Sequence, residues 1–589
     1  MHYFRLINTL VCWLTCFHAS TLFAESPVCT ETDKAHIWLS PLTPSSGQTI
    51  KIMAVATDGP LSELVIIDDQ NHQITLPSRR RGGPPWSIKA ELKMPSRGNH
   101  LAIAYRNNTP IVCQPFSVDQ SNVRGESYSW NLATEAFYAA WIEELFGAPH
   151  DESFSFSSLT PILQNTERNF LHNYFGLNED STLTLTPDCA DLPYTLRGYF
   201  AWKIGLPFAY RACGRGSATH PPRCGSPTMV QEFIHGISTQ TGFKKFSRQL
   251  FDTVHSGSAR TGYDDESTDF YPIPLNRETL WPGTIFADPY GHILVLTEWI
   301  PQTTDHPGRL LAVDAQPDNS VTRKQVWEGT ALFANTTNAG AGFKVFRPIV
   351  SASGKLKALT NIELINQTDF APFSREQDNL SPNDFYAALA KLINPSGLDP
   401  VQAYEVALTA LVEQIGTRIN SVDTGESHFR KNPRNIIPMP SGAAIFQTVG
   451  AWEDYATPSR DMRLIIAIDV LEKLPQKIVT HPELFLLQDK NPEEIKYDIE
   501  QHHLRRVQEL HITYKRSNGS SWTLSVADIL HRKPQYEVAY NPNDCVEIRW
   551  GAYPDTDEYA TCRRRAPSEQ RAKMEQYRAW FREMRRPIQ

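Results

Sequence analysis

The chain has 589 residues, 41% hydrophobic and 21% charged, a balance that excludes wholesale disorder and suits about three or four domains. Its 57 basic and 65 acidic residues leave a formal net charge of −8, which argues against general affinity for nucleic acid. Past the first residues no window offers roughly eighteen consecutive apolar residues, so no transmembrane segment is expected.

Residues 1–24 carry Arg5 and then an apolar run from Leu10 to Phe23, ending at Ala24. That is the pattern of a secretory signal peptide, and it implies a periplasmic or secreted protein. Two of the nine cysteines fall in this leader. Six of the others form three expected disulfides: Cys29 with Cys113, Cys213 with Cys224, and Cys545 with Cys562. Cys189 is left over. An unpaired thiol in an exported protein is a liability unless its reactivity is used, so Cys189 reads as a nucleophile. The alternative is a thiol that simply packs in a core.

Residues 25–120 show short alternating runs between turn clusters, including Ile50-Lys-Ile-Met-Ala-Val, Leu64-Val-Ile-Ile and His100-Leu-Ala-Ile-Ala-Tyr. Their size and rhythm predict an immunoglobulin-like β-sandwich, with Cys29 and Cys113 near its ends. Arg79-Arg80-Arg81-Gly82-Gly83 reads as a solvated hairpin tip. Residues 121–375 mix elements. Apolar spacing predicts helices over 130–146 and 161–175, and Ser181–Thr186 alternates like a strand. Asp188 can cap a helix that starts at Cys189, with Asp191 as a box partner and Gly205 as the stop. Strands follow across 270–350.

Residues 376–589 turn mainly helical. Ser381-Pro382 and Pro400 open two helices, the second running to about Asn420. Others are expected over 461–474 and 492–510, and Asn518-Gly519 marks a β-hairpin. The last helix is basic, with Met574, Tyr577, Phe581 and Met584 on one face. It is expected to dock on the protein; contact with an anionic envelope surface is the second reading.

A thiol in the first turn of a helix feels unsatisfied N–H groups and the positive dipole end, both of which favour thiolate. It still needs an imidazole, and a group to orient that imidazole. Among 18 histidines, His292 is preferred because Gly291 precedes it and a strong β-run follows. Asp314 ends the next apolar strand, Leu310-Leu-Ala-Val, and could lie beside the ring. His220 is the main rival, with His235 and His255 weaker. No close CxxC pair, HExxH or glycine-rich phosphate loop occurs, so neither metal nor cofactor is expected.

The run from Asp188-Cys-Ala-Asp-Leu-Pro-Tyr to Gly205-Leu-Pro-Phe-Ala resembles the nucleophile helix of transglutaminase-like proteins. Gly291-His292 and Leu310–Asp314 resemble that family's histidine and aspartate strands, while Pro282-Gly283-Thr284 is similar to NlpC/P60 cysteine peptidases. The resemblance covers about 130 residues. It implies a central papain-like α+β domain with Cys189 as nucleophile, His292 as base and acid, and Asp314 as orienter. The chain is thus expected to be a multidomain α+β protein that acts on amide bonds of peptides or proteins, including peptidoglycan peptides, through a thioester. The alternative is a non-enzymatic envelope adaptor with an inactive papain-like domain.

Overall fold

Eight strands lead the fold of the computed structural model: β1 Ala35–Ser40, β2 Ile50–Ala56, β3 Glu63–Ile67, β4 Gln73–Leu76, β5 Ser78–Arg81, β6 Trp86–Leu92, β7 Gly98–Arg106 and β8 Thr109–Val118. The structure describes residues 32–587 apart from 120–128, 150–151, 153, 218, 231–238, 317, 353–354 and 447–449. The strands pair into two antiparallel four-stranded sheets, in the orders β1-β2-β6-β5 and β4-β3-β7-β8. Ile37, Ile52, Ala54, Leu64, Ile66, Ile88 and Ala102 fill one core between them. The other face of β2 is also apolar because Met53 and Val55 meet the Leu132–Phe146 helix, where Trp38 stacks on Phe137 at 4.1 Å. Burial on both faces explains why Ile50–Ala56 reads as almost continuous apolar sequence.

Arg79–Arg81 is exposed at Arg79 and Arg80, as expected of a hairpin, but it is not a free tip. It is strand β5, and Arg79, Arg81 and Lys89 converge on Glu144, which is 5% exposed at the far end of that helix. A buried carboxylate needs cations around it, which draws Arg81 and Lys89 inward while Arg79 reaches it from the surface. Cys113 is disulfide-bonded; Cys29, its expected partner, lies outside the described residues.

The next strands are β9 Ser155–Phe156, β10 Ala209–Cys213, β11 Cys224–Met229, β12 Phe270–Pro272, β13 Ile285–Ala287, β14 Ile293–Ile300, β15 Arg309–Ala315, β16 Val321–Gln325 and β17 Gly342–Phe346. Seven of them form one antiparallel sheet, ordered β12-β17-β13-β14-β15-β16-β9. The Leu132–Phe146 and Asp191–Ile204 helices share an apolar core with it, through Phe137, Trp141, Leu196, Phe200, Val295 and Val313. β10 and β11 pair separately and carry the Cys213–Cys224 disulfide; β18 Ile349–Ala352 and β19 Lys355–Ala358 form a hairpin.

Two expectations fail in this part. The helix expected over 161–175 is only Leu159–Leu163, followed by turns. Asn169 ends it: its Nδ2 donates to Leu163 O at 2.7 Å, and its Oδ1 accepts from Leu171 N and Trp141 Nε1 at 3.0 Å each. An asparagine side chain that takes over backbone partners competes with a helical ladder. Ser181–Thr186 is irregular, because Glu179 and Asp180 turn inward to the buried Lys203 ammonium.

Five main helices follow, Pro382–Ile393, Pro400–Lys431, Pro458–Thr480, Pro492–Glu509 and Ser568–Arg582. Ser381, Asp399 and Asn491 cap three of them just ahead of proline. The second outruns its expected end near Asn420 by three turns, since Ser421 and Thr424 return their hydroxyls to Thr417 and Asn420 carbonyls and leave the ladder intact. β20 His511–Lys515 and β21 Ser521–Ser525 form the hairpin, with Gly519 at φ 85° in its turn. The terminal helix docks by Met574 and Phe581. The Cys545–Cys562 disulfide is present. Among the described residues no helix is long and apolar enough to cross a membrane.

One buried ion pair holds this helical region. Arg418 is 1% exposed and grips Asp461 with two hydrogen bonds of 2.9 Å, while donating to Arg549 O at 2.7 Å. Breaking such a pair from one side strands a buried charge. Arg418→Ala is therefore expected to destabilise the helical region by about 3–5 kcal/mol, read as a lowered urea midpoint in circular dichroism. A change under about 1 kcal/mol would count against this role.

Candidate active site

Asp188 does cap the helix on which Cys189 sits. Its Oδ1 accepts from Ala190 N at 2.8 Å and Asp191 N at 3.0 Å, and its carbonyl accepts from Leu192 N at 3.0 Å. Cys189 therefore lies in the capped turn that leads into the helix, whose regular part begins at Asp191, two residues later than expected because Pro193 has no N–H to give the Cys189 carbonyl. The cap also uses up the Ala190 and Asp191 N–H groups, leaving Cys189's own N–H as the free donor of that turn. Gly205, at φ 83°, closes the helix. Asp191 receives a hydrogen bond from the Asp188 backbone N–H, as a box partner should. It is buried with an unpartnered Oδ1.

His292 sits one residue before β14, on a turn closed by Asp288 N to His292 O at 2.8 Å and Gly291 N to Asp288 O at 3.0 Å. Gly291 has φ 107°, and a Cβ there would lie 2.8 Å from Ser256 Oγ, so the position admits only glycine without strain. β14 pairs with β15 with Val295 opposite Val313, which sets Asp314 diagonally across from His292. His292 Nε2 lies 3.0 Å from Asp314 Oδ2. Thr322 Oγ1, directly opposite on β16, donates to Asp314 Oδ1 at 2.7 Å, and Gln316 Nε2 donates to Oδ2 at 2.5 Å. Gln316 thus serves the carboxylate. The Cys189 sulfur lies against the peptides flanking His292, 4.0 Å from Gly291 O and accepting from Ile293 N–H.

Cys189 is the free cysteine among the described residues. It lines a cavity of about 340 Å³ with His292 and Gln316. His255 also lines it, but both its nitrogens are used: Nε2 donates to Cys213 O at 2.8 Å and Nδ1 accepts from Gly257 N at 3.1 Å. His220 is exposed, bonded to Thr219 Oγ1 at 2.7 Å, and His235 lies outside the described residues. Cys545, Glu547 and Cys562 lie together, but the two sulfurs are joined and offer no thiolate to a metal.

The electrostatics correct one expectation. Burial, then the Asp188 charge, pushes the Cys189 thiol up, although the helix start favours thiolate. Burial, then Arg463, pulls the His292 imidazole down, against the pull of Asp314. Burial also works to raise Asp314, yet Lys324 and the His292 and Thr322 hydrogen bonds hold it well below the usual carboxylate range. Burial thus favours the uncharged thiol at Cys189 and the uncharged imidazole at His292, while the Asp314 carboxylate is favoured in its ionised form.

Sequence reading missed the far wall. Trp452, Arg460 and Arg463 come from the helical region, and Arg586 from the chain's end. Arg463 stands 3.6 Å from Asp288, and Arg586 Nη1 donates to Tyr290 O at 2.8 Å. The one signal was Arg460 and Arg463 three residues apart, on one helix face. Set against known proteins, the chain matches no family model, no curated protein and no solved structure.

Burial, then Asp188, pushes the Asp191 carboxyl up to about 9. Unfolded, it ionises near about 3.9. Folding therefore retains a proton between those values, and this residue's contribution falls as pH rises through that window. Asp191→Asn is expected to gain melting temperature relative to wild type between about pH 5 and pH 8. An equal gap at both pH values in thermal melts would contradict this.

Proposed function

We propose that the protein is an exported cysteine enzyme that cleaves or transfers acyl groups at amide bonds through a thioester at Cys189. Its central part reads as papain-like, of transglutaminase-like type, and its leading sheets as an immunoglobulin-like sandwich. The observation that carries this is the His292–Asp314 hydrogen bond of 3.0 Å on the turn against which the Cys189 sulfur rests. Because Nε2 engages the carboxylate, Nδ1 is the ring atom left for the thiol proton.

The steps follow from these groups. His292 takes the proton as Sγ attacks the amide carbon, and the oxyanion meets the Cys189 N–H at the helix start. The C–N bond then breaks as His292 returns the proton to the leaving amine. Water, deprotonated by the same imidazole, releases the acid and restores the thiol; an amine in its place gives acyl transfer. Peptides of the cell envelope, peptidoglycan stems among them, suit an exported location.

Cys189→Ser is expected to abolish labelling by a thiol-directed peptide amide probe, and His292→Ala or Asp314→Asn to slow it by about 10²–10⁴. Undiminished labelling in Cys189→Ser, with an unchanged circular dichroism spectrum, would overturn the assignment. One observation favours the competing adaptor reading: burial keeps the resting thiol neutral. A neutral pair makes iodoacetamide alkylation of Cys189 climb with pH throughout about pH 5–8, with no plateau of a preformed ion pair. A plateau there would contradict the neutral resting state, and no alkylation at all would favour the adaptor.

A further inference from the structure

The cavity beside Cys189 is lined by Arg215, Arg260, Arg460, Arg463, Arg585 and Arg586, against the carboxylates of Asp188 and Glu453. This concentration runs against a chain whose net charge is −8. Arg586 is 8% exposed, and its Nε, like those of Arg260 and Arg463, is buried without a hydrogen-bond partner. No described residue hydrogen-bonds or ion-pairs with the Arg460 guanidinium, and Arg463 reaches Asp288 only at 3.6 Å. Guanidinium stays protonated even where burial opposes it, so like charges gathered around one cavity are costly until an anion joins them. Burial does oppose it here, pulling Arg260 and Arg460 down and Arg586 down to about 10. Planar forks of N–H donors fit carboxylates two bonds at a time.

We propose that Arg460, Arg463 and Arg586 form an anion subsite that selects acidic peptide amides, with a carboxylate beside the bond presented to Cys189. This rests on the cysteine-enzyme reading for the identity of the reacting bond, but its charge preference is separately measurable.

Two experiments on the full chain test it. In the first, Cys189 is alkylated with iodoacetate and with iodoacetamide, which form the same S–C bond and expel iodide but differ in charge. The iodoacetate-to-iodoacetamide rate ratio is expected to exceed that of free glutathione by about tenfold, and Arg460→Gln to lower it at least about threefold. A merely structural arginine would change both rates together and leave their ratio alone, which would overturn the proposal. If neither reagent reacts, the cysteine-enzyme reading fails, and the second experiment decides the subsite. Calorimetry on Cys189→Ala compares alanyl-glutamate amide with alanyl-glutamine amide. Tighter binding of the acidic peptide, lost in Arg460→Gln, supports the subsite; equal binding, or none, overturns it. Inorganic phosphate that displaces the acidic peptide at equal concentration would overturn the peptide assignment in favour of a bare anion site.

Discussion

The antiparallel pairing of β14 with β15 fixes the one contact from which the rest of the site is measured. With Val295 opposite Val313, His292 and Asp314 fall on one face of the sheet, close enough for a hydrogen bond. A slip of one residue would turn one of them to the other face. The buried valines and leucines of the sheet hold that register, so apolar packing sets polar geometry. Thr322 and Gln316 then hold the carboxylate, and the Gly291 turn holds the imidazole. The capped turn ahead of the Asp191–Ile204 helix needs only to bring Cys189 to the Gly291 turn.

Closing the cavity from the helical region changes the chemistry of the atoms inside. Dehydration outweighs the helix start at Cys189 and outweighs Asp314 at His292, so in the proposed reaction proton transfer belongs to the attack itself and not to the resting state. Arg463 adds to this by lying near the imidazole while leaning toward Asp288. Asp461, which Arg418 clamps from the Pro400–Lys431 helix, sits in the first turn of the Pro458–Thr480 helix between Arg460 and Arg463 in sequence, and so fixes where both present their charge.

What the sequence made legible was local. Asp188, Gly205 and the proline-led caps each act within a turn of themselves, and those helix ends fall where expected or, at Asp188, within two residues of it. The leftover thiol, the glycine before His292 and the acid closing the next strand were readable for the same reason. What escaped depends on distant partners. Arg81 looked solvated like its neighbours because Glu144 is far along the chain, and the 161–175 helix failed because Asn169 found Trp141 and Tyr199. The cavity's arginines arrive from segments that no spacing rule links to Cys189. The thiol's neutrality, too, is a property of enclosure, which a helix-start argument does not contain.

The sulfur and imidazole belong to one sheet and its helix, whereas the guanidinium wall comes from residues near the other end of the chain. On the proposed reading, reactivity and choice of substrate are therefore written in separate stretches of sequence. On that reading, changes at Arg460 or Arg586 retune what is admitted while Cys189 and His292 keep their places, a natural handle for redirecting the proposed activity toward uncharged amides.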